Sequence, residues 1–148
     1  MRAGIDVVVQ IAVPFIWLGM VLGISGLETP LRFRAPGITV ALGLGIGRLV
    51  FRALNAAELV LAVVLTVAVL AGARGPGTTA IAVLIALWVL LVAQVAVLRP
   101  RLDRRARRIL AGDAPPRSHL HLAYIALEGV KFVLLPVLGV ILILGGTR

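Results

Sequence analysis

The chain has 148 residues and a net charge of +9, with 61% hydrophobic and 14% charged residues and no cysteine. Soluble domains are about half apolar and a quarter charged, so this composition excludes most classes of soluble enzyme, and the lack of thiols excludes disulfides, thiolate metal sites and cysteine nucleophiles. The basic residues lie between long apolar runs, where membrane topology explains them better than nucleic-acid binding does.

The first predicted element is a transmembrane helix over residues 5–27, because a membrane-spanning helix needs about 20 largely apolar residues. The run is longer than the apolar part of a signal peptide and is not followed by a small-residue cleavage motif, which favours a retained helix. The next segment, Glu28–Gly37, contains two prolines and two arginines and is predicted to be a loop.

The stretch Ile38–Gly72 predicts one long helix that begins at the membrane surface and then crosses the bilayer. Its first part, residues 38–54, carries Arg48 and Arg52 one helical turn apart among apolar residues, which is typical of an amphipathic interfacial helix. Its second part, residues 54–72, is apolar enough to be the second span.

The remaining chain predicts two further spans. A tight turn over Ala73–Gly77 precedes the third span at residues 78–98. A short basic cytoplasmic helix and a Pro-Pro loop then lead to the fourth span at residues 121–145. The predicted fold is therefore all-α: a single transmembrane domain over residues 1–148, built as an integral membrane four-helix bundle.

Arginine placement predicts the orientation. The connections after the first and third spans, with the interfacial helix, hold eleven arginines, whereas the opposite side holds three. Because positive residues favour the cytoplasmic side, both termini are predicted to lie outside, on the periplasmic side of a bacterial inner membrane. The basic run after the third span is expected to contact anionic lipids on the cytoplasmic side; its candidates for this role are Arg104, Arg105 and Arg108.

Several short motifs resemble a known family. They are the segment Pro30–Arg34, GRLVFRALN at Gly47–Asn55, LRPRLD at Leu98–Asp103, and His121 at the start of the fourth span. In this order they resemble the bacterial four-helix proteins of the transmembrane protein 205-like kind, a family largely of unknown function. The resemblance implies a four-helix membrane fold and supplies no catalytic residue.

The fourth span contains the most informative polar residues. His121, Tyr124, Glu128 and Lys131 follow one another at intervals of three, four and three residues, so they share one helix face. Lys131 lies ten residues beyond His121, or roughly 15 Å into the membrane at 1.5 Å per residue. A charge at that depth is costly and needs a partner, which Glu128 on the same face provides.

Two other spans add polar groups at a similar depth, namely Asn55 and Glu58 on the second and Gln94 on the third. We therefore predict a cavity that faces the cytoplasm, with Arg48 and Arg52 at its mouth. Its predicted lining, as a substrate or ion site together with His121, is Asn55, Glu58, Gln94, Tyr124, Glu128 and Lys131.

Two functions stay open at this point. The protein is either a small transporter or channel-like protein for an ion or a small polar or anionic substrate, or a non-transport scaffold or lipid-associated accessory protein whose buried charges only hold the bundle together. Tyr124 and His121 can equally be interfacial anchors. No catalytic set, metal site or cofactor is predicted, and the expected partners are the lipid bilayer and, in a homo-oligomer, further copies of the chain.

Overall fold

The computed structural model describes residues 2–72, 77–113, 116 and 118–146. Within these ranges the chain is helical and contains no strand, and four of its helices are long and apolar enough to cross a membrane. This confirms the predicted all-α class and the four long apolar helices. The predicted turn at 73–77 falls almost wholly outside the described residues, as do the side chains of Arg74, Arg117 and Arg148.

The described residues form six α-helices and two π-helical segments. The α-helices are α1 (Arg2–Val21), α2 (Thr29–Arg32), α3 (Val40–Ala71), α4 (Thr78–Val92), α5 (Arg99–Leu110) and α6 (Leu120–Gly146). One π-helical segment, Leu22–Glu28, joins α1 to α2, and the other, Ala93–Leu98, joins α4 to α5. Two of the four long helices are thus composites of α-helical and π-helical segments. The first long helix ends at Arg32, and the third runs from Thr78 to Leu110.

The π-helical segments correct two predictions. The loop predicted for Glu28–Gly37 is wrong for its first part, since the helix continues to Arg32. The basic helix after the third span, α5, is joined to that span without a break, so the helical chain runs from Thr78 to Leu110. Each π segment ends just before a proline, Pro30 or Pro100. A proline lacks an N–H and clashes with the carbonyl of the preceding turn, and a wider turn moves that carbonyl away from the ring. The chain therefore stays helical where the prolines predicted a break.

α3 is one uninterrupted helix of 32 residues. It begins at Val40 because the Thr39 hydroxyl caps it, accepting a hydrogen bond from the Leu42 N–H at 3.1 Å; such caps satisfy the free amides at a helix start. At 1.5 Å per residue α3 is roughly 48 Å long, well beyond the roughly 30 Å of a bilayer core.

The long helices pack around a small apolar core. α1 contacts both α3 and α6, and α4 contacts α6 and, less extensively, α3. The core is formed by side chains with almost no exposed area, among them Trp17, Val21, Leu65, Leu87, Leu91, Leu135 and Leu138.

The polar and apolar residues are distributed opposite to the pattern of a soluble domain. Large apolar side chains such as Val67, Leu70, Ile85 and Val133 are each about 60% exposed, whereas Glu58, Gln94 and Lys131 are 0% exposed. Exposed apolar surface on this scale needs an apolar partner. The outer surface of the bundle therefore requires an apolar partner outside this chain.

Candidate functional site

Three charged side chains meet in the interior of the bundle. Glu58 of α3 and Lys131 of α6 are completely buried, and Glu128 of α6 is 2% exposed. The Lys131 ammonium contacts Oε1 of Glu58 and lies 3.1 Å from Oε1 of Glu128. We call Glu58, Glu128 and Lys131 the ion triad. It joins α3 to α6 across the core.

Two neutral donors complete the hydrogen bonds around the ion triad. The indole N–H of Trp17 in α1 donates to Oε1 of Glu58 at 2.8 Å, and the Nε2 of Gln94 donates to Oε1 of Glu128 at 2.9 Å. Gln94 lies in the π-helical segment after α4. All four long helices thus contribute a polar side chain to one point, and each carboxylate has one neutral donor besides the lysine.

A second buried pair lies next to the ion triad. The Tyr124 hydroxyl donates to Oδ1 of Asn55 at 3.0 Å, so it again links α6 to α3. The ring of Phe51 stands edge-on to the Tyr124 ring, with 5.5 Å between the centroids. Asn55 and Tyr124 precede Glu58 and Glu128 by three and four residues, about one helical turn in each case.

The hydrogen bonding in this region is incomplete. Among the described residues, four buried polar atoms around the ion triad have no hydrogen-bond partner: Oε2 of Glu58, Oε2 of Glu128, Oε1 of Gln94 and Nδ2 of Asn55. A buried polar atom without a partner costs about 1–3 kcal/mol. Two of these atoms belong to carboxyl groups, which makes them candidate contacts for a cation, a water molecule or a proton.

A cavity opens nearer the end of the bundle where α2 and α5 lie. Its volume is about 260 Å³, and Tyr124 is part of its wall. Four arginines line it, together with Asp103, His121 and apolar side chains that include Phe33, Leu44 and Phe51. We call this space the arginine cavity; its arginines are Arg32, Arg48, Arg99 and Arg105.

Asp103 holds two of these arginines in place. Its Oδ1 lies 3.4 Å from Nε of Arg48 and 3.6 Å from Nε of Arg99. Arg99 also donates to the main-chain carbonyl of Arg48. These contacts fix α5 against α3, which keeps two guanidinium groups at the cavity wall.

Arg32 is held by α2 and α3 together. Its guanidinium pairs with Glu28 and donates to the carbonyl of Gly43 at 3.2 Å. A Cβ atom at Gly47 would collide with Nη1 of Arg32, and one at Gly43 would collide with the Phe33 ring. Their missing side chains therefore make room for Arg32 and Phe33.

The structure places the predicted site residues in two groups. Of the six side chains predicted to line one cavity, only Tyr124 lines the arginine cavity, and the other five are buried in the contacts around the ion triad. His121 is exposed and lines the cavity. Arg48 and Arg105 also line it and are half-buried. Arg52, Arg104 and Arg108 are exposed and lie outside its lining.

Sequence reasoning missed four residues of these sites: Trp17 at the ion triad, and Arg32, Arg99 and Asp103 at the arginine cavity. A tryptophan inside an apolar span carries the one signal that could have identified it, because its indole N–H needs an acceptor when buried. In the sequence, Arg32 and Arg99 are explained by membrane topology alone. Their role depends on the continuation of two helices past Pro30 and Pro100.

No group of three or more histidine, aspartate or glutamate side chains in the described part of the chain is arranged to hold a metal ion. Comparison with protein-family models, with curated proteins and with solved structures found no match for this chain. The resemblance to the transmembrane protein 205-like proteins therefore stays a prediction.

Proposed function

We propose that this chain is a multi-pass protein of a bacterial inner membrane, and that it acts as a small transporter or channel-like protein for a small anionic substrate. The membrane assignment is supported by four helices that are long and apolar enough to span a bilayer. It is also supported by large apolar side chains on the outside and charged ones in the interior, since intramembrane charges face a bundle interior.

The proposed orientation places the arginine cavity on the cytoplasmic side. Arginines of α2, α3 and α5 line this one cavity, and cytoplasmic ends of membrane helices are enriched in arginine. Both chain termini then lie on the periplasmic side. The basic face of α5 would contact anionic lipid head groups, which attract such segments by about 1 kcal/mol per basic residue.

The observation that carries the proposal is the charge of the arginine cavity. Its four arginines contribute four positive charges, while Asp103 and Glu28, the partner of Arg32, contribute two negative charges, which leaves +2 with His121 neutral. An excess of guanidinium groups in a partly enclosed space favours an anion, because their paired N–H groups match carboxylate and phosphate oxygens. The apolar walls limit the competing water.

A second candidate function is favoured by the pairing inside the ion triad. A transport path through Glu58 and Lys131 requires hydration at some stage, yet both are 0% exposed and in direct contact. In the alternative function the triad only holds α3 to α6, and the protein is a membrane scaffold or lipid-associated accessory protein. The arginine cavity would then hold an anionic lipid head group.

Purified protein in vesicles of neutral lipid would test the proposal. Uptake of radiolabelled inorganic phosphate and of chloride would be measured for the wild type, for Arg105→Gln and for Arg104→Gln. Within the described ranges Arg105 lines the cavity without an ion pair and donates to the main-chain carbonyl of Pro116. Its neighbour Arg104 is exposed outside the cavity, so the two variants remove the same charge from different places.

We expect saturable uptake that Arg105→Gln weakens roughly tenfold, since a hydrogen bond to a charged group contributes about 1.5–3 kcal/mol and 1.4 kcal/mol is tenfold. Arg104→Gln should leave uptake unchanged. Absence of uptake in the wild type, combined with an anionic lipid retained in native mass spectra from mild detergent, would support the scaffold function instead.

A further inference from the structure

The charges of the ion triad do not balance. Two carboxyl groups, Glu58 and Glu128, contact one ammonium group, Lys131. With all three groups ionised, two negative charges face one positive charge, so the triad carries a net charge of −1. Neither carboxylate has the arginine partners that neutralise Glu28 and Asp103 at the arginine cavity.

Among the residues that the structure describes, no neighbouring element supplies the missing positive charge. Trp17 of α1, Asn55 of α3, Gln94 of the π-helical segment and Tyr124 of α6 are the polar groups around the triad, and all are neutral side chains. The cation in contact with the Glu58 and Glu128 carboxyl groups is Lys131. Arg99 of α5 lines the arginine cavity and pairs with Asp103.

Burial makes this imbalance costly. The three residues are between 0% and 2% exposed, so water cannot compensate the excess charge. A buried carboxylate without a counter-ion is neutralised rather than kept ionised, and a nearby negative charge further disfavours ionisation of a second carboxyl group.

We propose that the ion triad binds one proton, shared between the carboxyl groups of Glu58 and Glu128, and is therefore neutral as a whole. Binding converts one carboxylate to a carboxylic acid; the proton comes from water, and nothing is oxidised or reduced. The proposal does not depend on transport, since it follows from the contacts of the triad alone.

The unpartnered atoms are the second, independent observation. Oε2 of Glu58 and Oε2 of Glu128 are buried and have no partner, so each can carry the proton. A protonated carboxyl group is a hydrogen-bond donor, and Oε1 of Gln94 is a buried acceptor that is also without a partner. Tyr124 lies about one helical turn from Glu128 on α6, and its side chain lines the arginine cavity, which offers a route from water.

Infrared spectroscopy of the folded wild type tests this directly. The protein would be measured near pH 7 in a detergent without ester or carboxyl groups, so that a carbonyl stretching band of a protonated carboxyl group is not obscured. We expect one such band, with the intensity of one group per chain. Its absence in folded wild-type protein would overturn the proposal without any variant.

Substitutions then assign the band to the ion triad, because each variant has a different number of carboxyl groups without a balancing cation. Glu58→Gln and Glu128→Gln each leave one carboxylate opposite Lys131, so each should abolish the band. Lys131→Met leaves two carboxyl groups without a cation, so the band should double. Asp6→Asn is the matched control; Asp6 is a partly buried carboxyl group elsewhere on α1, and its removal should leave the band intact.

Circular dichroism and gel filtration identify the variants that fold, and only those are compared. A band that survives either glutamine substitution would overturn the proposal, because charge balance would not determine it. A band lost in Asp6→Asn would overturn it as well, since the proton would lie outside the ion triad.

Discussion

Ion pairs occur in two regions of this protein, and their surroundings differ. At the arginine cavity Asp103 is held between Arg48 and Arg99, whose side chains are 25% and 13% exposed, and positive charge is in excess. In the ion triad Lys131 is held between Glu58 and Glu128, the side chains are between 0% and 3% exposed, and negative charge would be in excess if all three groups were ionised. The two charge patterns are therefore opposite: one carboxylate lies between two guanidinium groups in the first region, and one ammonium group lies between two carboxyl groups in the second.

The comparison shows why similar contacts have different consequences. Near water, an unbalanced charge is screened and remains available to a ligand of opposite sign. In a dry interior the same imbalance is costly and must be removed or compensated locally. The proposed anion binding at the arginine cavity and the proposed proton binding at the ion triad both follow from this difference, and the following substitutions test whether burial is decisive.

The largest effect is expected for Lys131→Met. Removing one partner of a buried ion pair typically costs about 3–5 kcal/mol, and here it leaves two glutamates without a cation. We expect a sharply lower unfolding temperature in detergent, measured by circular dichroism. Adding Glu128→Gln should restore part of the loss, because one of the two stranded carboxyl groups is removed. Normal stability of the single variant would contradict the importance of the triad.

A smaller loss is expected for Trp17→Phe. Phenylalanine fills most of the same core space but cannot donate the hydrogen bond that Oε1 of Glu58 accepts at 2.8 Å. Hydrogen bonds between membrane helices contribute about 0.6 kcal/mol on average and up to about 1.7 kcal/mol, so we expect a loss within this range in unfolding experiments. The loss should shrink in a Glu58→Gln background; equal losses in both backgrounds would mean that only packing is affected.

The different fates of these residues show what the sequence can predict. The four long helices follow from apolar runs, because a membrane span has a minimum length. The sequence also predicts the contact of Lys131 with glutamates, because a charge at membrane depth needs an oppositely charged partner. Both predictions rest on a strong physical constraint that acts on short stretches of chain.

The arginine cavity could not be predicted in the same way. It depends on helices that continue past Pro30 and Pro100, and the wider turns that allow this leave no periodic signal. Arg32 and Asp103 then meet α3 only because of where those extensions point. Trp17 likewise meets Glu58 across 41 residues of sequence, a distance over which helix periodicity carries no information.

At the arginine cavity the comparison predicts a modest effect for Asp103→Asn. A partly exposed pair contributes up to about 1 kcal/mol, so the unfolding temperature should fall slightly at low salt and the difference should fade at high salt. Loss of the carboxylate also raises the cavity charge from +2 to +3, so inorganic phosphate should bind more tightly. Unchanged phosphate binding in calorimetric titrations would argue against an electrostatic role for the cavity.

The smallest effect is expected for Arg108→Ala, which removes a pair at 3.2 Å from Asp113. This distance is nearly the same as the 3.1 Å between Lys131 and Glu128. The side chains of Arg108 and Asp113, however, are 63% and 53% exposed. Water already solvates both charges, so we expect a change within about 0.5 kcal/mol in the same unfolding experiment. Two contacts of nearly equal length should thus differ severalfold in their effect on stability. If Arg108→Ala were as destabilising as Lys131→Met, distance rather than burial would govern these pairs, and the unequal charges of the ion triad would not require a bound proton.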